Sequence, residues 1–486
     1  MNIVLATINA KWIHPSLALR LLKANLGALE EQCEILEFAL RQPLNEKVDS
    51  ILTAEPKLLG LSVSIWNHLA TLELLKALEE KWDVGQKPVI VLGGPEVSWL
   101  FEDAEIFQYA DYVIRGEGEE SFRSLCYEVF YGSQQTKKPD AELRQSQQFH
   151  NHKNAESAAI GEIIVDVNKI ETAYHLYTDE DISQKLIYVE ATRSCPFNCE
   201  FCQGGLQPVR EFPLEPFLAN METLVKRGVR TFKFLDRSFN LNIERAKKIL
   251  EFFLAATRER SFCVHFEIVP SRFPLELKEL IRRFSAGTLR LELGLQTLNL
   301  QTRALIQLSG NLDKELENLE FLCRETNAIL HVDLIAGLPG ESIDSFHAGF
   351  DRLWQVLSGT LAGSPGSPPF GSFEIQLGIL KCLPGTPIIR HNEAYGMKYS
   401  PAPPYEVIKT NALSAAELDR IKNFARFWEL IVNRNSFPDL IPRLFPPGEN
   451  VFEKFITLSD RLFEQFGRNW GIDRADLRLM LENLPI

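Results

Sequence analysis

Apolar and polar positions in the first 130 residues follow two periods in turn. Short, almost unbroken apolar runs occur at residues 2–7, 58–64, 88–95 and 112–118, the last two closing on glycine turns. Such runs fit strands buried on both faces of a parallel sheet. Residues 17–29, 69–82 and 119–130 instead repeat apolar side chains at helical spacing. Strands alternating with helices predict a doubly wound, Rossmann-like α/β domain over residues 1–130. In such a sheet ligands bind beyond the carboxyl ends of the strands. Those ends carry Asn9, Lys11 and Trp12, then Ser64, Trp66 and Asn67, then Gly93 and Gly94, then Glu117. A Gln-, Lys-, Ser- and Asn-rich stretch at 131–160 then reads as a polar linker, with the connecting segment running to 183.

A second strand–helix series follows. Candidate strands lie at 187–191, 231–235, 264–269, 289–295, 330–336 and 373–380, with room for one helix in each gap. Six parallel strands with returning helices predict a partial (β/α)6 barrel over residues 184–396, with its chemistry at the carboxyl ends of the strands. Residues 358–372, rich in Gly, Ser and Pro, predict a mobile loop before the sixth strand. Residues 397–486 show helical periodicity and little strand signal, and predict a helical C-terminal domain with its aromatics in the core.

Composition narrows the function classes. With 486 residues the chain is too long for one ordinary domain. Its 52 Lys+Arg against 65 Asp+Glu give a net charge of −13, and the tail carries 12 of each sign, which disfavours a nucleic-acid partner. No apolar run approaches the roughly 18 residues of a membrane span. The N-terminus lacks the pattern of a secretory signal, so the expected location is the cytoplasm. Eight cysteines in so long a chain do not suggest a disulfide framework. Cys33, Cys126, Cys263, Cys323 and Cys382 sit among apolar neighbours and read as packing.

Cys195, Cys199 and Cys202 are different. They fall within Arg193-Ser194-Cys195-Pro196-Phe197-Asn198-Cys199-Glu200-Phe201-Cys202-Gln203, just after the first barrel strand. Thiolates are the usual ligands of iron–sulfur clusters, and a [4Fe-4S] cube usually takes four. Three cysteines leave one iron open for a substrate or cofactor. A zinc knuckle would need a fourth ligand, and no Cys or His is close by; the nearest flanking His is His175.

The spacing C-x3-C-x-aromatic-C, with Phe201 as the aromatic, resembles the radical S-adenosylmethionine superfamily. The resemblance implies that S-adenosyl-L-methionine chelates the open iron and is cleaved to a 5′-deoxyadenosyl radical. Later strands extend it. The Asp236 segment stands where many members have Gly-Gly-Glu, which makes Asp236 a candidate partner of the methionine amino group. Glu267, Glu292, Gly294 and Gln296 lie on two successive strands, the last three on one strand face. Asp333-Leu334-Ile335-Ala336-Gly337-Leu338-Pro339-Gly340-Glu341 matches the family turn whose backbone near Ile335 and Gly337 meets adenine. Leu383-Pro384-Gly385-Thr386-Pro387 is likewise family-like. An α/β domain before such a barrel resembles the cobalamin-binding branch of the superfamily, and with the helical tail the chain looks like a poorly characterised subgroup of it.

For that branch the resemblance implies cobalamin held by Asn9, Lys11, Trp12, Ser62, Ser64, Trp66, Asn67, Gly93, Gly94 and Glu117. The Asp-x-His-x-x-Gly motif that ligates cobalt elsewhere is absent, and the histidines near the loops, His14 and His68, read as loop or surface residues. The resemblance implies a base-off corrinoid without a protein nitrogen ligand, with Trp66 or Asn67 near its lower face. The expected activity is methylation of an unactivated carbon of a small molecule, lipid or peptide, with flavodoxin or ferredoxin as reductant. Rearrangement or cyclisation without net methylation, a non-catalytic sensor and a transfer-RNA modifier are the alternatives. Methylthiolation with a second cluster is disfavoured, because the N-terminal domain holds only Cys33 and Cys126.

Overall fold

A computed structural model describes residues 2–83, 87–132, 150–151, 164–205, 207–359, 373–445 and 450–483. Most of the predicted polar linker and of the predicted loop before the sixth barrel strand lies outside the described residues. The chain forms two units, Met1–Val189 with Glu211–Lys233, and Glu190–Arg210 with Phe234–Ile486.

The first unit is built on β1 (Ile3–Asn9), buried at all seven positions. It pairs in parallel with β2 (Cys33–Ala39) on one side and β3 (Leu58–Ser62) on the other. β4 (Val89–Gly93) pairs with β3, and β5 (Tyr112–Val113) with β4, both in parallel. His150–Asn151 adds a short antiparallel edge beside β5. Alternate residues of β1 feed two cores. Val4, Ala6 and Ile8 meet Val48 and Ile51 of α2 (Leu44–Ala54) and Leu74 and Leu75 of α3 (His68–Glu79). Ile3 and Leu5 meet Leu19 of α1 (Leu17–Ala24) and Phe122 and Leu125 of α4 (Glu119–Tyr131). The sheet therefore has helices on both faces, as the sequence predicts.

β2 and α2 carry no clear sequence signal. β2 is an edge strand with five of its seven positions only partly buried, and it holds Glu34 and Glu37, so no apolar run marks it. The helical pattern over 17–29 also breaks early. Asn25 donates its side-chain amide to Leu21 O (2.8 Å), and a 3-10 turn, Gly27–Gln32, follows.

Six strands form the second sheet: β6 (Ile187–Val189), β7 (Thr231–Phe234), β8 (Cys263–Ile268), β9 (Leu289–Gln296), β10 (Ile329–Ala336) and β11 (Phe373–Ile379). β8 to β11 pair consecutively in parallel. β8, β9 and β10 alternate strictly between buried and half-buried positions. Helices α5 (Leu214–Arg227), α6 (Ile243–Ala256), α7 (Leu275–Ile281), α8 (Leu312–Glu325) and α9 (Ile343–Ser358) return between successive strands, as a β/α barrel wall requires, and Phe266 of the buried set meets Phe253 of α6 edge-on with centroids 6.3 Å apart. The half-buried set, Glu267, Glu292, Gly294, Gln296, His331 and Asp333, makes the other face.

The tail opens with a small antiparallel pair, β12 (Lys398–Tyr399) with β13 (Val407–Lys409). α10 (Ala415–Trp428), a π-helix over Glu429–Asn433, α11 (Val451–Phe466) and α12 (Arg474–Asn483) follow. Most of its aromatics are core, though Phe463 is exposed. Phe424 and Trp428 of α10 and Phe452 and Phe455 of α11 surround Phe350 of α9, with Phe350–Trp428 centroids 5.0 Å apart and edge-on. Trp470 stays exposed.

Candidate functional site

The three-cysteine loop leaves β6 through Ala191 and Thr192, and a buried carboxylate fixes its start. Asp236, just after β7, accepts from the Ala191 N–H (3.0 Å) and the Thr192 hydroxyl (2.6 Å). Arg245 holds the Ala191 carbonyl from the other side at 3.0 Å. Both Asp236 oxygens are thus engaged and the residue is 1% exposed. The structure gives it the role of positioning the loop, where the sequence suggested a contact with the methionine amino group.

Beyond Thr192 the backbone turns at Ser194, whose φ of +78° is unusual for a side-chain-bearing residue. Its hydroxyl donates to Gln207 (3.1 Å) and accepts from Arg210 (2.8 Å), which holds the turn. Glu200, wholly buried between Cys199 and Cys202, is the loop's second anchor. It accepts from Gln307 (2.8 Å) and pairs with His391 (2.7 Å) and Arg390. Gln203 ties the loop to Pro384 O at 2.8 Å. At Gly205 a Cβ would lie 2.5 Å from Phe197 O, so the loop closes only on glycine. Glu200 was not singled out from the sequence. Its one local sign was a carboxylate inside the cysteine motif.

Cys195, Cys199 and Cys202 are half-buried free thiols. Burial pushes the Cys199 thiol up to about 12, and the neighbouring Cys202 and Cys195 sulfurs push the same way. Burial also raises Cys195, against a hydrogen bond from Ser238. Thiolates close enough to oppose one another's ionisation need a cation among them, which suits three ligands of one iron–sulfur cluster.

The half-buried faces of β8 to β11 form a charged row. Glu267 lies in register with Glu292, Glu292 with His331, and His331 with Glu374. Glu292 pairs with His265 at 3.0 Å. Burial alone would lower His331, but hydrogen bonds with Asp333 and Glu374 outweigh it and raise its pKa to about 9. His331 is therefore held as a cation between these carboxylates, and with Glu292 and Asp333 it forms a close group of three possible ligand side chains. Gln296, at φ +62°, folds back over Gly294, where a Cβ would come within 2.4 Å of its amide nitrogen. Ile335 and Phe201 both line a cavity of about 760 Å³. Gly337 does not join them. It is buried at φ +88° under Val407, whose side chain a Cβ would meet at 2.4 Å.

In the first unit the strand ends sort into exposed and engaged groups. Trp12 and Trp66 are 47% and 52% exposed. Trp66 is steered by a bond from its indole nitrogen to Ile8 O (3.3 Å), and Lys185 sits over the Trp12 ring. Lys11 is exposed and Ser62 half-buried. Gly94, at φ +104°, lies so close to β3 that a Cβ would be 2.6 Å from Val63 O. Gly93, in register with Ser62, ends β4. Asn67 is wholly buried: its amide donates to Ile8 O (3.0 Å) and Ser62 O (3.2 Å), and its oxygen accepts from Ser64 N (2.7 Å). It staples the loop and is not presented to a ligand, and Ser64 is buried with it. Asn9 is buried against Glu37 (3.3 Å), and Glu117 accepts from Val165 N (2.7 Å). His68 pairs with Glu96 and His14 with the Tyr188 hydroxyl, each at 2.8 Å. The exposed tryptophans, Lys11 and the glycine turn fit the wide apolar face and amide rim of a corrinoid, and both nearby imidazoles are engaged elsewhere.

Comparison with known proteins matches three segments of the chain. Residues 3–126 match the B12 binding domain, 189–353 the Radical SAM superfamily, and 393–471 a protein of unknown function, DUF4080. A 2-(S-pantetheinyl)-carbapenam-3-carboxylate methyltransferase of Streptantibioticus cattleyicolor is 24% identical over 331 residues, 62% of this chain and 45% of the relative. The chain spans less than half the length of the curated relatives it matches. Two solved structures share the fold. The radical S-adenosylmethionine methyltransferase TsrM from Kitasatospora setae, with cobalamin and a [4Fe-4S] cluster, superposes with a TM-score of 0.57 at 16% identity, covering 85% of this chain and 82% of that one. The cobalamin-dependent S-adenosylmethionine radical enzyme OxsB reaches 0.63 at 14% identity, covering 99% and 78%. These domains imply a [4Fe-4S] cluster, S-adenosyl-L-methionine and cobalamin as cofactors. Among the described residues no helix is long and apolar enough to cross a membrane.

Proposed function

Since the chain is a member of the radical SAM superfamily with an N-terminal B12 binding domain, we propose that it methylates an unactivated carbon of a small molecule, lipid or peptide. One observation carries this reading. Three half-buried free cysteines share one anchored loop, in a chain whose other sheet presents Trp12, Trp66 and a glycine turn, with the neighbouring His14 and His68 bonded to Tyr188 and Glu96. The methyltransferase names of the relatives support the methyl-transfer step.

When bound, the cluster and S-adenosyl-L-methionine supply a 5′-deoxyadenosyl radical, and cobalamin supplies the methyl group. The chain's own residues hold and orient. Cys195, Cys199 and Cys202 ligate iron. Asp236 and Arg245 fix the loop's first residue, and Glu200 fixes its middle. Phe201 and Ile335 give S-adenosyl-L-methionine apolar wall, with Glu267, Glu292 and Gln296 as polar contacts. Ser62, Gly93 and Gly94 would border the corrinoid, and Trp66 would give it apolar contact. A low-potential flavodoxin or ferredoxin is the reductant.

The test is anaerobic. Reconstituted protein receives hydroxocobalamin, dithionite, methyl-deuterated S-adenosyl-L-methionine and a small-molecule extract from cells lacking the gene. Methyl transfer predicts a deuterated product, with 5′-deoxyadenosine and S-adenosyl-L-homocysteine formed together. Substrate-dependent 5′-deoxyadenosine without S-adenosyl-L-homocysteine would overturn it in favour of rearrangement. If a Cys195, Cys199 and Cys202 triple alanine variant still made 5′-deoxyadenosine, the radical reading would be wrong.

A further inference from the structure

The turn that holds Glu200 also meets water. Glu200 lies between two of the three cysteines, and its backbone carbonyl accepts from Ile388 N at 2.9 Å. Its carboxylate pairs with Arg390 and His391 of the same 3-10 turn, Pro387–His391. Ile388 and His391 are buried, while Ile389 between them is 60% exposed and the Arg390 side chain is half-exposed. An exposed apolar residue thus stands one peptide bond from a hydrogen bond to the cysteine loop.

Ile389 also lines a groove of about 600 Å³, together with Glu393, Met397, Lys398, Tyr399 and Tyr405. The groove lies wholly within the second unit and shares no residue with the cavity at Phe201 and Ile335. Lys398 begins the tail's hairpin, β12 with β13, and stands directly opposite Lys409. Residues paired in this way lie on one face, where like charges repel. Both lysines are exposed, and among the described residues neither has a carboxylate partner. Glu393 is the one carboxylate among the residues that line the groove. In a chain of net charge −13, an apolar groove flanked by two unpaired lysines, beside the cysteine loop, is a local reversal of sign that attracts an acidic partner.

We propose that this face is where the electron donor docks, and that the donor is an acidic flavodoxin. Its carboxylates meet Lys398 and Lys409, and the exposed apolar edge of its flavin enters the groove beside Ile389, Tyr399 and Tyr405. A projecting planar ring fills a groove, which favours a flavin over a cluster enclosed in a ferredoxin. One electron leaves the anionic flavin hydroquinone, which becomes the neutral semiquinone, and the oxidised [4Fe-4S] cluster takes it up; no proton or bond is exchanged. The proposal rests on the radical reading, which supplies the cluster to be reduced. It gives the hairpin a task that the tail's family description does not assign.

The experiment uses reconstituted holoenzyme and a purified low-potential flavodoxin, titrated calorimetrically without oxygen. Affinity is expected to fall at least about tenfold between about 50 and about 300 mM salt. Lys398→Glu with Lys409→Glu is expected to weaken binding at least about tenfold. At subsaturating flavodoxin it should slow cluster reduction by the same factor, followed by electron paramagnetic resonance. Dithionite needs no docking face, so it should reduce this variant as it does the wild type, which separates a lost surface from a lost fold. Lys398→Arg with Lys409→Arg is expected to bind as the wild type does. Salt-independent binding, unchanged affinity in the charge-reversed variant, no flavodoxin binding at submillimolar concentration, or tighter lysine-dependent binding of a ferredoxin each overturn the proposal. 5′-Deoxyadenosine formation under dithionite is read on the same preparation. Its presence with lysine-independent flavodoxin binding overturns the docking face alone, and its absence with lysine-dependent binding overturns the radical reading alone.

Discussion

Asp236 offers a test that does not depend on substrate. Burial pushes its carboxyl up to about 7 from 3.8, against the opposing hydrogen bonds from Thr192 and Ala191. Its folded-state value lies above the unfolded one. The folded chain therefore binds more protons across this window, and stability falls as pH rises from the unfolded value through about 7. One pKa unit is worth about 1.4 kcal/mol, so between about pH 5 and pH 8 the wild type loses roughly 2–3 kcal/mol through this group. Asp236→Asn keeps an acceptor and removes the titration, so it should gain on the wild type by that amount across the window. Asp236→Ala instead orphans two buried donors, at about 1–3 kcal/mol each, at every pH. Anaerobic urea denaturation of wild type and Asp236→Asn at the two pH values measures the difference. Parallel pH profiles would refute the reasoning. Iron content gives the functional readout: Asp236→Ala should load less than Asp236→Asn, because only the alanine frees the loop at Ala191 and Thr192.

Arg303 and Glu315 form a buried pair at 2.9 Å, and Arg303 also reaches Leu295 O and Thr297 O at the end of β9. Arg303→Met alone should cost about 3–5 kcal/mol in thermal or urea denaturation, and Arg303→Met with Glu315→Leu should recover most of it. Gly94→Ala, at a φ of +104°, must displace Val63, so it should cost about 1–3 kcal/mol and reduce the hydroxocobalamin retained after desalting. Trp66→Ala with Ser64→Ala should also reduce retained hydroxocobalamin, by absorbance, and unchanged retention would remove Trp66 from the site. Glu200→Gln keeps the shape of the loop anchor but loses the charge beside His391, and should lower iron content after reconstitution.

The sequence revealed the features that are local. The cysteine spacing lies within eight residues, and each barrel strand is one short contiguous segment with apolar residues at alternate positions, so both could be read directly. Features made by distant partners could not. Glu200 meets His391 from 191 positions away, and nothing near either residue announces the pair. Asn67 looked like a polar loop residue facing a ligand, yet three backbone contacts turn it inward. Glu117 and Asn9 were likewise placed at the right strand ends but are held by Val165 and Glu37. β2 was missed because an edge strand needs only one covered face, and its glutamates break the apolar run.

Asn433, the last residue of the π-helix, has a consequence for the strand beside it. Its side-chain amide donates to Ile375 O at 3.0 Å and accepts from Ile375 N at 3.2 Å, so one side chain does for β11 what a neighbouring strand's backbone would do. β11 ends its sheet, and an uncovered edge is a template for pairing with another chain. By covering that edge at Ile375, the tail would oppose such pairing. A chain shortened before Glu429, or one carrying Asn433→Ala, should lose solubility and form oligomers on sizing columns before any change in its cofactors is seen.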